Sequence, residues 1–251
     1  MRKAALANAE RLAQMAREET GMGRTADKVQ KNTVCAVRTP GPEDLQSKAF
    51  TGDKGLTLVE WGPYGVVGAI TPSTNPVATV INNALSILSA GNAVVFAPHP
   101  ASVKCSTEMM RALCRAIVAE GGPAGLITTG APAAQETTRQ LLAHPGVRVN
   151  MVTGGPAIVK VAMTVGKTCK TIAAGPGNPP IVVDETADID QAARDIIKGA
   201  SFDNNIICID EKNIIVVDAI ADKLTAALRG MGCRILTPDE IARLEKVIFS
   251  E

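Results

Sequence analysis

The sequence predicts an α/β protein in which a parallel sheet is covered by helices on both faces, followed by the start of a second α/β unit. Three observations predict this. Short apolar runs of strand length alternate with helical patterns of roughly 10 to 20 residues. The runs are almost continuously apolar, as expected for strands buried on both faces of a sheet. The chain has 251 residues, 46% hydrophobic and 20% charged, which suffices for one large domain or two smaller ones.

The first part of the chain, residues 1–55, is predicted to be an N-terminal helix followed by connecting segments. Residues 3–19 carry Ala, Leu and Met at helical spacing, and Gly21 and Gly23 end that pattern. Residues 24–55 have mixed polar character and a glycine flanked by prolines, which is typical of a connection.

The middle of the chain, residues 56–178, is predicted to be the parallel-sheet domain. The predicted strands are 56–61, 65–70, 93–97, 125–130, 147–155 and 169–175. The predicted helices are 78–91, 102–122, 133–144 and 157–166. Open parallel sheets bind ligands beyond the carboxyl ends of their strands, so the turns that follow these strands are the places to look for a site.

The last part, residues 179–251, is predicted to be an incomplete second unit. Its predicted strands are 181–185 and 213–218, and its predicted helices are 188–200, 219–230 and 238–251. Two or three strands leave an open sheet edge, and so few elements do not close a core of their own.

The composition excludes several classes of function. With 26 basic and 25 acidic side chains and 2% aromatics, the chain has neither the charge nor the stacking residues of a nucleic-acid-binding protein. Its six cysteines form no CxxC pair and only two histidines are present, so we expect no metal site and no disulfide framework. No apolar run has membrane-spanning length, and the N-terminus lacks the apolar core of a secretory signal. These features indicate a cytoplasmic protein with no nucleic-acid or membrane partner.

The stretch VTGGPAIVK, residues 152–160, has the order of a strand, a glycine pair and a helix start. Backbone N–H groups at such a helix start hold phosphate well, which makes Thr153, Gly154 and Gly155 candidate cofactor contacts. A plain β–α turn explains the same residues, and the stretch is not the GxGxxG fingerprint because position 159 is Val.

Two further strand-end turns carry unusual residues. AAGPGNPP, residues 173–180, places Gly175 and Gly177 among three prolines, as in a rigid exposed turn or an interdomain linker. His99 lies just past a predicted strand, where it is either a ligand contact or a surface residue.

One cysteine differs from the other five. Asp203, Asn204 and Asn205 favour a turn, so Cys208 follows a break in regular structure rather than lying inside an element. The other cysteines lie in or beside helical and strand patterns, where a thiol acts as a small apolar side chain. Spacing alone leaves Cys208 open between a buried filler and a nucleophile.

Several of these motifs, in the same order, resemble the aldehyde dehydrogenase superfamily. They are TPSTNP (71–76), AGNAVVFAPHP (90–100), VTGGPAIVK, GPGNPPIVVDETADI and GASFDNNIIC. Together they are similar to its CoA-acylating branch, the acetaldehyde and propionaldehyde dehydrogenases of bacterial microcompartments. The resemblance implies a Rossmann-like NAD domain, a catalytic domain that carries the cysteine, and an oligomerisation element.

The resemblance implies that Cys208 is the nucleophile, which attacks an aldehyde and carries the resulting thioester. Its backbone N–H and the side chain of Asn75 are then the oxyanion donors. The hydrolytic relatives align their asparagine with Thr74, one residue earlier. The implied cofactor-binding residues are Thr71, Pro72, Ser73, Thr74, Pro98, His99, Thr153, Gly154, Gly155, Gly175 and Gly177.

Two substitutions relative to the hydrolytic relatives bear on the acyl acceptor and the cofactor. Their water-activating glutamate corresponds to Ala173, and a methyl group cannot take a proton from water. The resemblance therefore implies CoA as the acceptor, with NAD as the cofactor. Ala97 stands where the relatives often have a ribose-binding lysine, so we expect the adenosine to be held another way, with help from His99.

Two other functions remain as alternatives: a hydrolytic aldehyde dehydrogenase, against which Ala173 argues, and a non-catalytic nucleotide-binding or assembly module. The family carries a leading segment before the first helix and continues beyond the point where this chain stops. We therefore expect the 251 residues alone to bind NAD weakly, to form no acyl-CoA and to associate. The implied partners are a small aldehyde, CoA, further copies of the chain and microcompartment shell proteins, and the implied location is the microcompartment lumen.

Overall fold

The structure is a computed structural model that describes residues 1–130, 133–165 and 169–248. By its contacts the chain forms two compact units. The first is Met1–Pro176 together with Ile206–Cys208, and the second is Gly177–Asn205 together with the residues from Ile209 onward. The α/β fold with a parallel central sheet, predicted from the sequence, is confirmed. Within the three described ranges, no helix combines the length and the apolar character that a membrane crossing requires.

The described helices and strands alternate along most of the chain. The helices are α1 Arg2–Ala7, α2 Ala9–Thr20, α3 Thr25–Arg38, α4 Pro76–Ser89, α5 Val103–Ala119, α6 Gln135–Ala143, α7 Pro156–Val165, α8 Ile189–Ala200, α9 Asp218–Gly230 and α10 Pro238–Ile248. The strands are β1 Lys48–Gly52, β2 Gly55–Val59, β3 Val66–Thr71, β4 Ala93–Pro98, β5 Ile127–Thr129, β6 Val147–Thr153, β7 Lys170–Ala174, β8 Pro180–Val183 and β9 Asn213–Val216.

Five parallel strands form the sheet of the first unit, in the spatial order β5-β4-β3-β6-β7. The chain runs outward from β3 to β5, then returns to the other side of β3 to form β6 and β7. This reversal of direction lies between β3 and β6, where Ile70 faces Val152 across the ladder. In open α/β sheets the ligand crevice lies at such a switch point, outside the carboxyl ends of the strands.

Alternating side chains of the strands fill two separate cores, one on each face of the sheet. On one face Val67 and Phe96 pack with the N-terminal helices, α4 and α5. On the other face Ile70 and Ala97 pack with residues of α6 and α7, including Leu142 and Ala162. A parallel sheet is stable only when both faces are covered in this way, which is why its strands are nearly continuous apolar runs.

Residues 24–55 do not form the connecting segments predicted from the sequence. Residues 25–38 are the helix α3, and residues 48–52 pair in antiparallel fashion with β2 as a hairpin. The predicted strand 56–61 therefore belongs to this hairpin and not to the parallel sheet. The helix was missed because its buried positions include Lys28 and Asn32, so its apolar residues do not mark the buried face. The predicted first helix is interrupted at Asn8, and it ends, as predicted, at Gly21 with a left-handed φ of 69°.

The second unit has a small core of its own, although the sequence predicted that its few elements would not close one. Strands β8 and β9 pair in parallel, and Val183, Ile196, Ile220 and Leu224 bury their side chains between this sheet and the helices α8 and α9. The predicted last helix is described as far as Ile248, and its positions 249–251 lie outside the described residues. The same holds for position 166, the predicted end of the helix that is observed as Pro156–Val165.

Candidate active site

A cavity of about 440 Å³ lies at the switch point of the sheet, within the first unit. Its walls are the ends of β3, β4 and β6 together with the starts of α6 and α7. Seven of the predicted cofactor-binding residues line it: Thr71, Pro72, Pro98, His99, Thr153, Gly154 and Gly155. The fold therefore brings together residues that are up to 84 positions apart in the chain because parallel strands end at the same edge.

The glycine turn after β6 forms one wall of this cavity. The Gly154 N–H donates to the carbonyl of Ala174, 3.1 Å away, which ties the turn to β7. Among the described residues, none beyond the two chain neighbours lies within 4 Å of a side chain added at Gly155, so open space lies above this residue. Helix α7 begins immediately afterwards at Pro156, and its free N–H groups and dipole favour an anionic group at this end. A dinucleotide fits this arrangement: apolar walls, a close backbone approach at Gly155 and a helix N-terminus.

The turn after β4 forms the opposite wall. The His99 N–H donates to the carbonyl of Thr71, 3.2 Å away, and so links the ends of β3 and β4. His99 Nδ1 accepts the N–H of Ala101 at 3.2 Å, which fixes the orientation of the ring. With Nδ1 acting as an acceptor, the ring proton lies on Nε2, which can donate to a ligand.

Sequence reasoning missed the contribution of α6. Gln135, Thr138 and Arg139 line the cavity, at positions i, i+3 and i+4 of one helix face. Among the described residues, Arg139 has no ion-pair partner. The contribution of α6 could have been predicted from the expected ligand site at the strand ends. Helix α6 follows β5, so it starts at the same edge of the sheet as α4 and α7.

Four of the predicted cofactor-binding residues do not line this cavity: Ser73, Thr74, Gly175 and Gly177. Ser73 and Thr74 belong to the turn between β3 and α4 and are half-buried. Gly175 follows β7 at the end of the first unit, and Gly177 begins the second unit. The role of these four residues stays a prediction.

The candidate oxyanion donor Asn75 is the residue that precedes the first turn of α4. Its Oδ1 accepts a hydrogen bond from Lys31 Nζ of α3 at 2.5 Å, and its Nδ2 lies 3.3 Å from Thr74 Oγ1. The Thr74 carbonyl lies 3.4 Å from Lys28 Nζ and 3.5 Å from Lys31 Nζ. Two ammonium groups of one helix therefore contact the two adjacent residues, Thr74 and Asn75, that are the candidates for the oxyanion donor.

Cys208 follows a turn with strained backbone. Asp203, Asn204 and Asn205 have φ values of 45°, 59° and 58°, in the left-handed region that costs free energy for residues other than glycine. The Asn205 side chain holds the turn, since its Nδ2 donates to the carbonyls of Ala200 at 2.6 Å and Glu211 at 3.2 Å. Strain that is fixed by hydrogen bonds in this way is typical of functional sites. Cys208 is half-buried and belongs with its two preceding residues to the first unit.

Three of the other cysteines lie where a thiolate is disfavoured. Burial, and after it the hydrogen bond and charge of Glu19, raises the pKa of Cys105 to about 12. Burial also raises the pKa of Cys35, partly offset by the charge of Lys31, and the pKa of Cys114. Only the thiolate is an effective nucleophile, so these three positions suit structural rather than reactive roles. In the described ranges no group of three or more His, Cys, Asp or Glu side chains is arranged to hold a metal ion.

The sequence of this chain is similar to a known protein family over most of its length. Residues 1–231 match the model of the aldehyde dehydrogenase family. The chain is 51% identical over 249 residues to the acetylating acetaldehyde dehydrogenase of Escherichia coli, an alignment that covers 99% of this chain and 53% of that protein. The chain thus spans about half the length of the curated relatives it matches.

The solved structures whose backbones are similar to this chain include aldehyde dehydrogenases as well. A propionaldehyde dehydrogenase from the fucose utilisation bacterial microcompartment of Clostridium phytofermentans superposes with a TM-score of 0.92 at 42% identity, covering 99% of this chain and 57% of that one. A propionaldehyde dehydrogenase of Rhodopseudomonas palustris, solved with bound CoA and an acylated cysteine, has a TM-score of 0.89 at 44% identity, covering 98% and 57%. Similarity in sequence and in backbone therefore extends over nearly the whole chain.

Proposed function

The chain belongs to the aldehyde dehydrogenase family, and from this premise we propose that it is the nucleotide-binding and cysteine-bearing part of a CoA-acylating aldehyde dehydrogenase. The enzyme oxidises a short-chain aldehyde to acyl-CoA with NAD. The observation that carries the proposal is the cavity at the switch point of the sheet, where seven strand-end and turn residues predicted to bind the cofactor lie together.

NAD, when bound, supplies a hydride acceptor for the aldehyde carbon. Thr153, Gly154 and Gly155 would hold its phosphates at the N-terminus of α7, and His99 would contact the adenosine side from the end of β4.

The residues of this chain supply the covalent chemistry. The Cys208 thiolate attacks the aldehyde carbon, and the carbonyl oxygen becomes an oxyanion that needs hydrogen-bond donors placed in advance. Asn75 Nδ2 and the backbone N–H of Cys208, which belong to the same unit, would be these donors. Loss of the hydride collapses the adduct to a thioester on Cys208, and attack by the CoA thiolate then releases acyl-CoA and frees the Cys208 thiolate.

Ala173 supports a thiol rather than water as the acyl acceptor. Its methyl group packs against the apolar cluster that contains Ile70, Ala97 and Val152. A side chain of this kind cannot act as a general base for water, whereas a thiol ionises far more readily and needs less help. The binding of CoA by the Rhodopseudomonas palustris relative, and the acylated cysteine in that structure, support the same acceptor.

The test uses the complete enzyme that contains this chain. With acetaldehyde or propionaldehyde, NAD and CoA, we expect NADH and acyl-CoA to form in equal amounts, measured by absorbance and by mass spectrometry. Without CoA, NADH should form in a burst of about one equivalent per site, with an acyl group on the Cys208 peptide. Free acid formed without CoA at the rate of the complete reaction would instead establish the hydrolytic alternative.

The setting of the enzyme is part of the same proposal. The relative from Clostridium phytofermentans belongs to a bacterial microcompartment, which supports a microcompartment location for the enzyme that contains this chain. The oligomeric assembly and the contact with shell proteins implied by the resemblance stay predictions. Size-exclusion chromatography of the complete enzyme, and its co-sedimentation with purified shells, would test them.

A further inference from the structure

Helix α3 buries polar residues and exposes apolar ones. Lys28 and Asn32 are 3% and 2% exposed, whereas Val34 and Val37 on the same helix are 56% and 52% exposed. Burying an ammonium group costs free energy unless it is paired, so a buried lysine indicates a specific contact. Asn32 anchors the helix, since its Nδ2 donates to the carbonyl of Ala9 at 3.0 Å.

Three contacts of this polar face reach the turn between β3 and α4. Lys31 Nζ donates to Asn75 Oδ1 at 2.5 Å. Lys28 Nζ and Lys31 Nζ both lie near the Thr74 carbonyl, at 3.4 Å and 3.5 Å. These four residues lie in the first unit, and the lysines come from a segment 43 to 46 positions earlier in the chain.

A lysine determines which end of an asparagine carboxamide faces it. An ammonium group carries three donors and no acceptor, so it binds the carboxamide oxygen and repels the NH₂ group. No other described contact selects the orientation of Asn75, because its side chain makes no capping hydrogen bond to α4 and its Nδ2 is 3.3 Å from a hydroxyl that can either donate or accept. With Oδ1 bound to Lys31, the NH₂ group is the part of the side chain available to an incoming oxyanion.

We propose that Lys31 is a positioning residue for the acylation step: it binds Asn75 Oδ1 and thereby keeps the Asn75 NH₂ group oriented as a donor to the oxyanion, while Lys28 helps to hold the adjoining Thr74 carbonyl. The inference rests on the proposed function. The short charge-assisted hydrogen bond also polarises the carboxamide, which makes its N–H a stronger donor. Without Lys31 the carboxamide is free to turn its oxygen toward the oxyanion, where two partial negative charges repel each other.

The experiment measures the NADH burst of the complete enzyme in a single turnover, with Lys31→Met as the test and Lys3→Met, an exposed lysine on α1, as the matched control. We expect Lys31→Met to slow the burst by about 10- to 100-fold. Lys3→Met should leave the burst unchanged, and Lys31→Arg, which keeps a charged donor, should restore most of the rate. The Kd for NAD should change by less than about twofold, because neither Lys31 nor the residues it contacts, Thr74 and Asn75, line the cofactor cavity.

A double-mutant comparison shows whether Lys31 acts through Asn75. If it does, Lys31→Met combined with Asn75→Ala should be no slower than Asn75→Ala alone, because effects transmitted through one group do not add. If Lys31→Met fails to fold, Lys31→Gln takes its place: its carboxamide both donates and accepts, so it no longer selects one orientation of Asn75 and should also slow the burst.

Three results would overturn the inference: an unchanged burst in Lys31→Met, multiplicative losses in the double variant, or a loss of NAD affinity equal to the loss of rate. The last would mean that Lys31 only maintains the local fold. Failure of the proposed function has a different signature, because the unsubstituted enzyme would then form no acyl-CoA at all.

Discussion

The carboxylate of Glu19 accepts the backbone N–H of Cys105 over 2.8 Å, so that the last turn of α2 caps the first turn of α5. The other oxygen of the same carboxylate accepts the N–H of Lys104, also at 2.8 Å. The residue at the cap position itself, Ser102, makes no side-chain capping bond to the helix within the described residues. A negative charge at a helix N-terminus and two satisfied N–H groups both stabilise the packing of α2 on α5.

Glu19→Ala should lower the free energy of unfolding by about 1 to 2 kcal/mol, the usual loss for a capping side chain together with its charge. Urea denaturation followed by circular dichroism measures the change. Glu18→Ala is the control: this exposed neighbour accepts a bond from Gln14 on the same helix, so its loss should cost less than about 0.5 kcal/mol. Equal losses in the two variants would contradict the capping role.

Replacing Cys208 by alanine should abolish dehydrogenase turnover in the complete enzyme because the covalent step then has no nucleophile. Cys35→Ala and Cys233→Ala should keep most of the activity; the first thiol is half-buried with a raised pKa, and the second is exposed. Steady-state NADH formation measures all three variants. Retained turnover in Cys208→Ala would remove the residue from the mechanism.

Asn75→Ala should slow acylation by about 100-fold or more, the usual loss for one oxyanion donor, with little change in NAD affinity. Thr74→Ala is the informative partner because hydrolytic relatives align their asparagine with this position. The single-turnover NADH burst compares the two variants. A larger loss in Thr74→Ala would show that the donor is assigned one residue too late.

Gly155→Val should weaken NAD binding by about tenfold or more, equivalent to about 1.4 kcal/mol, while the fold is kept. The side chain would enter the open space above Gly155, where no described residue beyond its two chain neighbours lies within 4 Å and where the dinucleotide is expected to approach the backbone. Isothermal titration calorimetry with NAD measures the effect. Gly62→Val is the matched control, since Gly62 is exposed and also has no atom within 4 Å of an added side chain. Equal NAD affinity in both variants would mean that the cavity is not the dinucleotide site.

The thiol of Cys105 should resist alkylation in the native protein at pH 9.5, while exposed Cys233 reacts. Burial raises the pKa of Cys105 from 9.0 to about 12, so the folded state keeps the proton that the unfolded state loses. The stability from this group is complete below about pH 9 and is lost as the pH rises toward 12. Iodoacetamide labelling with peptide mass spectrometry tests the reactivity, and urea midpoints between pH 9 and 12 test the stability. Comparable labelling of the two thiols would contradict the burial effect.

The sequence alone determined the order and type of most elements of the two units. The strands β3, β4 and β6 are short apolar runs between helical patterns, and their buried side chains alternate between two faces that helices must cover. The turns at Thr71, His99 and Gly154 were predictable as well, because a parallel sheet collects its strand ends at one edge. These features depend on local periodicity and on chain geometry, which the residue order carries by itself.

Only the tertiary structure decided which strands are neighbours and which polar residues lie inside. The strand order β5-β4-β3-β6-β7 results from packing, and it places the reversal between β3 and β6, where the cavity forms. Helix α3 was unpredictable because Lys28 is buried while Val34 and Val37 are exposed, which reverses the usual relation between polarity and exposure. Hydrophobic periodicity predicts which side chains leave water for an apolar core. It carries no information about the contact between Lys28 and Thr74, which are 46 positions apart in the chain.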